Sequence, residues 1–318
     1  MSQKPCVKCQ STMSVYSRPY SGETLCKKCF LFSIEDKTRK TISKYSMLHH
    51  DDRVAVAVSG GKDSLSLLYV LKNIFERGHR NTPIAVTIDE GIRNYRDESL
   101  EIVNQFCADL RIENKIVSYK ELFGRDMDQV ILERPSDKMS SCSICGTFRR
   151  RAIDLAAESV GANVVATAHN LDDQLHTFII NMIAGDVQRI GWSHPQSVMN
   201  KIHTLRKIKP FCEIYEQEIV FYALMRGLPF QTEDCPYMNE GIRTQIRDFI
   251  NALERERPGI KYNLYNSISK ISSNLKTVSN RVDSKKCPTC GRMSTSNVCS
   301  VCKTISILGK NEVRTVEE

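Results

Sequence analysis

The stretch VAVAVSGGKDSLSLLYV, from Val54 to Val70, decides the fold. Its first five residues are apolar on both parities, as a strand covered on both faces must be. At Ser59 the apolar run stops, two glycines follow, and from Ser64 apolar residues recur at helical spacing. Gly60 and Gly61 permit a tight turn and close backbone approach, and Asp63 or Ser64 is expected to cap the helix. The unpaired N–H groups at such a helix start favour an anion. The pattern is not the Walker sequence G-x-x-x-x-G-K-[ST], so a phosphate loop of another kind is indicated. A Gly-Gly turn between strand and helix also arises as plain topology; the serines around it tip the reading towards phosphate.

Outward from this stretch the period keeps alternating. Residues 84–88, 112–117 and 163–167 read as strands, and residues 64–75, 97–110, 146–159 and 171–184 as helices. This order predicts an α/β fold, a Rossmann-like parallel sheet with helices on both faces. Ligands bind such sheets at the carboxyl ends of the strands, so the loops after Val58, Ile88 and Thr167 are expected to line one site. The 318 residues suffice for a core of about 200 residues plus smaller modules. The absence of 18 consecutive apolar residues and of an apolar segment near the N-terminus leads us to expect a cytoplasmic protein with no membrane partner.

Thirteen cysteines are the strongest feature of the composition, and ten fall in C-x-x-C pairs. In a cytosolic chain that spacing indicates metal ligation, because two intervening residues let both thiolates face one ion. Cys6, Cys9, Cys26 and Cys29 form one four-cysteine ribbon, and Cys287, Cys290, Cys299 and Cys302 a second, each offering tetrahedral sulfur ligands to zinc. The expected organisation is an N-terminal ribbon over residues 1–32, a helical linker over 33–50, a catalytic α/β domain with C-terminal helices over 51–284, and a second ribbon with a tail over 285–318. Two such zinc sites lower the formal charge of +8 to about +4. The charge balance alone therefore says little about nucleic acid; local clusters such as Arg149-Arg150-Arg151 and the i, i+4 pair Arg243 and Arg247 say more.

Cys142 and Cys145, expected just before a helix, and Cys235 about ninety residues later form a third group, one thiol short of a closed site. Three thiolates on a [4Fe–4S] cluster leave one iron without a protein ligand. The alternatives are zinc completed by His or Asp, a catalytic disulfide, or buried structural thiols. Cys107 and Cys212 read as packing thiols. Asp172 reads as a first-turn acid favoured by the helix dipole, and His169, at the end of a strand, as a residue able to touch a nucleotide.

Ser59-Gly60-Gly61-Lys62-Asp63-Ser64 matches S-G-G-x-D-S, which resembles the PP-loop ATPases. With the two ribbons, C-x-x-C-G-x-F-R-R at Cys142–Arg150, T-A-H-N-L-D-D-Q at Thr167–Gln174 and E-D-C-P-Y around Cys235, the chain resembles the archaeal and eukaryotic cytoplasmic tRNA 2-thiouridine synthetases over nearly its whole length. The resemblance implies cleavage of ATP to AMP and pyrophosphate, with the C2 carbonyl of a tRNA uridine adenylated and its oxygen replaced by sulfur. It assigns a [4Fe–4S] cluster to Cys142, Cys145 and Cys235, and ATP contacts to Ala57, Val58, Ser59, Gly60, Gly61, Lys62, Asp63, Ser64, Ile88, Arg149, Ala168 and Asp173. Asp63 would organise Mg2+ and the phosphates, and Asp173 would be a catalytic acid or metal-positioning group. Ala168 stands where the family commonly has glycine and adds a methyl to the pocket.

The F-R-R run leans towards the branch acting on the wobble uridine; a T-loop uridine, or a non-catalytic ribbon protein that binds tRNA, are the alternatives. Arg150, Arg151, Arg243 and Arg247 are the candidate tRNA contacts, with ribbon cations such as Lys8, Lys285 and Arg292, and Trp192 and Tyr237 for stacking. The resemblance also implies a homodimer and a sulfur donor, either sulfide or a thiocarboxylated ubiquitin-like carrier.

Overall fold

The computed structural model of the chain describes residues 4–78, 81–134, 139–191, 205–237, 242–279 and 285–308. The N-terminal ribbon holds the short strands β1 (Tyr16–Ser17) and β2 (Thr24–Leu25) and runs directly into α1 (Lys27–Lys44). The main body then alternates β3 (Val54–Val58), α2 (Lys62–Arg77), β4 (Ile84–Asp89), α3 (Arg96–Leu110) and β5 (Asn114–Ser118). After α4 (Tyr119–Phe123), α5 (Met127–Glu133) and α6 (Ser141–Ser159) the chain returns through β6 (Val164–Ala166), α7 (Leu171–Ile183), α8 (Val187–Gly191) and β7 (Arg206–Ile208). Helices α9 (Glu216–Arg226), α10 (Arg243–Glu256) and α11 (Ile260–Ser279) precede the second ribbon, built from β8 (Lys285–Lys286), β9 (Met293–Ser294) and α12 (Ser300–Ile307).

Five strands form one parallel sheet in the order β5-β4-β3-β6-β7. The chain leaves β3 on one side towards β4 and β5, then crosses back to place β6 on the other. The order therefore reverses between β3 and β6, and beyond their carboxyl ends lies the crevice in which sheets of this kind bind ligands. The alternation of β3 explains the two cores. Val54, Val56 and Val58 face α2, α3, α7 and α9, whereas Ala55 joins Val86, Ile88 and Val165 against α4, α5 and α6. Each ribbon belongs to a different core: Cys6 and Cys26 to the first, Cys287, Cys299 and Cys302 to the second.

Two expectations need correction, at the starts of α6 and α2. Helix α6 starts at Ser141, capped by the Ser140 hydroxyl, so Cys142 and Cys145 lie inside it and not before it. Helix α1 starts at Lys27, because the Cys26 sulfur accepts from the Cys29 N–H and supplies the cap. Helix α2 is capped by Gly61 with no side-chain bond, so neither Asp63 nor Ser64 caps it; the helix begins earlier than the apolar period suggested, and both residues fall in its first turn. Cys107 and Cys212 are fully packed, and burial pushes their thiols up to about 11 and about 12. Among the described residues no helix is long and apolar enough to cross a membrane. Trp192 lies outside the described residues.

Candidate active site

The phosphate loop occupies the carboxyl end of β3. Gly60 has φ +87°, and a Cβ there would lie 2.8 Å from the Ser99 Cβ, so only glycine fits. Ser64 braces the turn: its hydroxyl accepts from the Ser59 N–H at 3.1 Å and donates to the Gly61 carbonyl at 3.0 Å. The first N–H groups of the 16-residue α2 are left without helical partners, which is what an anion at this end requires. Lys62 pairs with Asp63 at 2.9 Å and with Glu216, at the start of α9, at 3.0 Å.

Across the crevice, Thr167–Asn170 link β6 to α7. The Asn170 side chain accepts from the Asp173 N–H at 3.0 Å, and Asp173 accepts from the Asn170 N–H at 3.2 Å, a capping box that fixes the first turn of α7. Asn170 Nδ2 also reaches Asp63 at 3.4 Å. Burial raises the Asp63 carboxyl, and burial together with the Asp63 charge pushes Asp173 up to about 6. Two crowded carboxylates with raised pKa values are a place where a divalent cation lowers the free energy. Asp172 is spent on structure: its carboxylate pairs with the buried Lys261 of α11 and accepts from the Glu216 N–H at 2.9 Å.

The three cysteines lie beside this crevice. Gln231, four residues before Cys235, donates its backbone N–H to the Gly60 carbonyl at 3.1 Å, so the segment carrying Cys235 is bonded to the phosphate loop itself. Cys142 donates to the Tyr237 carbonyl at 3.5 Å, bringing α6 to the same segment. Arg149 lies 3.4 Å from the Cys145 sulfur, and Tyr119 donates to the Cys145 carbonyl at 2.9 Å. Burial raises the Cys235 thiol, with Cys145 and Cys142 adding to the effect as neighbouring charges. The three sulfurs do not all converge within 4.8 Å, as the ribbon thiols do.

A PP-loop domain family matches residues 33–254. The cytoplasmic tRNA 2-thiolation protein 1 of Aspergillus niger is 36% identical over 319 aligned positions, covering 100% of this chain and 92% of its own length. The tRNA 2-thiolation protein NcsA of Haloferax volcanii is 31% identical, over 94% of this chain and 98% of its own. Among solved structures, the U34-tRNA thiolase NcsA from Methanococcus maripaludis, determined with its [4Fe–4S] cluster, superposes with a TM-score of 0.82 at 31% identity, over 98% of this chain and 99% of that one. The chain belongs to this PP-loop family of tRNA 2-thiolation proteins.

Not every residue expected to touch the nucleotide presents a side chain to the crevice of this PP-loop protein. Ile88 is buried in the second core, and its carbonyl is taken by Arg96. Val58 faces the first core, and Ala57 packs partly against the second. Ala168 packs partly against the first. His169, at the end of β6, bonds the Thr167 hydroxyl at 2.8 Å; the crowding of the crevice pushes it down to about 3, helped by Lys209, Arg243 and Arg150. Arg150 and Arg243 are exposed on different helices, where their side chains reach the Thr147 and Thr177 hydroxyls at 3.5 Å. Arg151 instead turns towards the second ribbon, 3.9 Å from the Cys290 sulfur, and Arg247 is exposed beside Asp248.

Among the described residues, two groups of four thiols converge: Cys6, Cys9, Cys26 and Cys29, and Cys287, Cys290, Cys299 and Cys302. In the second, the Cys287 sulfur accepts from the Cys299 N–H at 3.4 Å, and the Cys299 sulfur from the Cys302 N–H at 3.4 Å. Burial opposes a Cys287 thiolate, but the backbone N–H groups of Cys299, Cys290 and Thr289 prevail and bring it down to about 6. In the first ribbon, burial and the surrounding Cys26, Cys6 and Cys9 sulfurs push the Cys29 thiol up to about 12. Arg292, a candidate phosphate contact, is engaged by Glu158 of α6 at 2.6 Å.

Sequence reasoning missed Glu90 and Arg96, a buried ion pair beside the phosphate loop in which Arg96 also donates to the Ser59 carbonyl. Glu90 follows the strand whose carboxyl-end loop was expected to line the site, so its position carried a signal; Arg96, the first residue of a helix, carried none.

Proposed function

We propose that the chain is a cytoplasmic tRNA uridine 2-sulfurtransferase that uses ATP and acts at the wobble uridine, U34. One observation carries the reading: the segment bearing Cys235 is hydrogen-bonded to the phosphate loop through Gln231 and Gly60. Activation at phosphate and replacement by sulfur therefore have one address. The U34-tRNA thiolase named above supports the position.

In this reading the α2 N-terminus, with Ser59 and Ser64, holds the β- and γ-phosphates of ATP, and Asp63 holds Mg2+. The uridine O2 attacks the α-phosphorus; an O–P bond forms, the bond to pyrophosphate breaks, and the N3 proton is lost. Asp173, pushed up to about 6, is suited to receive a proton near neutrality. Hydrosulfide then adds to C2, the C2–O bond breaks with AMP as leaving group, and the hydrosulfide proton passes to N3. Sulfur stays at the sulfide level throughout, so no reductant is consumed. A [4Fe–4S] cluster on Cys142, Cys145 and Cys235 would supply an iron free to hold the sulfur species. Arg149 beside Cys145 offsets negative charge there, and Arg150 and Arg243 receive tRNA phosphates.

The remaining assignments complete the proposal: zinc in both ribbons, the four-part domain division at residues 32, 50 and 284, a homodimer, and sulfide or a thiocarboxylated carrier as donor. The test is tRNA-stimulated pyrophosphate release and nucleoside analysis of the tRNA, with the protein purified anaerobically. Asp63→Ala is expected to lower both products at least ~100-fold. Pyrophosphate release insensitive to tRNA, or 2-thiouridine confined to the T-loop, would overturn the assignment.

A further inference from the structure

We propose that Glu90 is a positioning residue that ties the phosphate loop to the cysteine site, so that activation of the uridine and delivery of sulfur stay matched. The inference rests on the function proposed above. Glu90 is 3% exposed, and each of its carboxylate oxygens holds a different arginine: Oε1 lies 2.9 Å from Arg149 Nε and Oε2 lies 2.9 Å from Arg96 Nε. The Arg96 contact is an ion pair whose N–H does not point as a hydrogen bond requires. The two arginines lead to different places.

Arg96, itself buried, donates through Nη1 to the Ser59 carbonyl at 2.6 Å and to the Ser99 hydroxyl at 2.9 Å, and through Nη2 to the Ile88 carbonyl. Ser59 opens the phosphate loop, and Ser99 is the residue against which Gly60 packs. Arg149, half-exposed on α6, reaches 3.4 Å from the Cys145 sulfur. A continuous chain of contacts thus runs from Ser59 through Arg96, Glu90 and Arg149 to Cys145, with a buried carboxylate at its centre.

The backbone under Glu90 is fixed. Its carbonyl accepts from the Met127 N–H at 2.7 Å, and Gly91, at φ +68°, sits so close to α5 that a Cβ would lie 2.4 Å from the Asp126 Cβ. A carboxylate on so firm a support, divided between two arginines, sets both of their positions. Removing its charge leaves Arg96 buried without its counter-ion and lets Arg149 leave Cys145. Misplacement of reacting groups by about 1 Å costs on the order of 100-fold in rate.

The experiment compares the full-length protein with Glu90→Gln, Arg149→Gln and the double variant. Two quantities are read: pyrophosphate released per 2-thiouridine formed, and the ATP affinity of the iron-free protein. The wild type is expected near one pyrophosphate per product. Glu90→Gln is expected to raise that ratio about tenfold or more and to weaken ATP binding at least ~5-fold, the range of ordinary coupling between sites. Arg149→Gln is expected to raise the ratio and to weaken ATP binding less than Glu90→Gln does, because the link from Glu90 through Arg96 to Ser59 remains.

The double variant is expected to match Glu90→Gln. A ratio that stays near one in both single variants overturns the proposal, as does a double variant whose effect is the product of the two. If Glu90→Gln does not fold, the half-exposed Arg149→Gln decides by its ratio alone. A wild type that makes no 2-thiouridine overturns the functional reading and this inference with it; a wild type that thiolates while the variants are unaltered overturns only this inference.

Discussion

The two ribbons share a ligand pattern and differ in everything they touch. In both, four thiols converge, and in both the third cysteine caps the following helix through its sulfur. The N-terminal ribbon is locked to the first core: Arg18 donates to Glu218 of α9 at 2.6 Å, Tyr20 adds a bond to the same carboxylate at 2.9 Å, and Phe30 packs between Tyr16 and Phe221. Helix α9 in turn carries Glu216, the partner of Lys62. The C-terminal ribbon instead packs on α6, with Ile144 and Phe148 in its core and Arg292 on Glu158. One metal-binding motif thus braces the helices behind the phosphate loop, and the other braces the helix carrying Cys142, Cys145 and Arg149.

The largest effects that would break this contrast come from the ribbon thiols, proposed above as zinc ligands. Structural zinc sites contribute about 10–16 kcal/mol in isolated fingers, so loss of one thiolate should unfold the ribbon concerned. Cys299→Ser is expected to lower iron per mole of protein at least ~5-fold after reconstitution, whereas Cys26→Ser should lower thermal stability and leave the iron content of the soluble protein unaltered. Equal iron loss in both variants would show that the ribbons do not serve separate sites. Next comes the buried pair. Glu218→Ala strands Arg18 and should cost about 3–5 kcal/mol in denaturant unfolding.

Asp173 tests the crevice between the two cores. Its folded pKa, about 6, lies above the ordinary value of 3.8, so the folded state binds the proton more tightly. Stability from this group is therefore present below pH ~4 and lost as pH rises through ~6. Asp173→Asn is expected to abolish thiolation while melting no lower than wild type at pH 8; a large drop in melting temperature there would make the residue structural. The smallest effect belongs to the second ribbon's exposed clamp. Arg292→Ala removes a pair about one-third exposed on each side and should cost under ~1 kcal/mol, a shift of a few degrees at most.

The sequence alone determined the parts whose physics is local. VAVAV reads as a doubly covered strand because both parities are apolar, and the C-x-x-C pairs read as metal knuckles because two residues set the distance between thiols. The start of α6 was hidden by the cysteines, although Ser140 supplied an ordinary capping signal. Only the tertiary structure decided that each ribbon joins a different core, that Gln231 binds Gly60, and that Ser59, Glu90, Arg96 and Arg149 form one connected set. These pairings depend on the crossover that reverses the strand order between β3 and β6. A buried charge takes whichever partner the packed layers bring within reach, and spacing along the chain does not specify that partner.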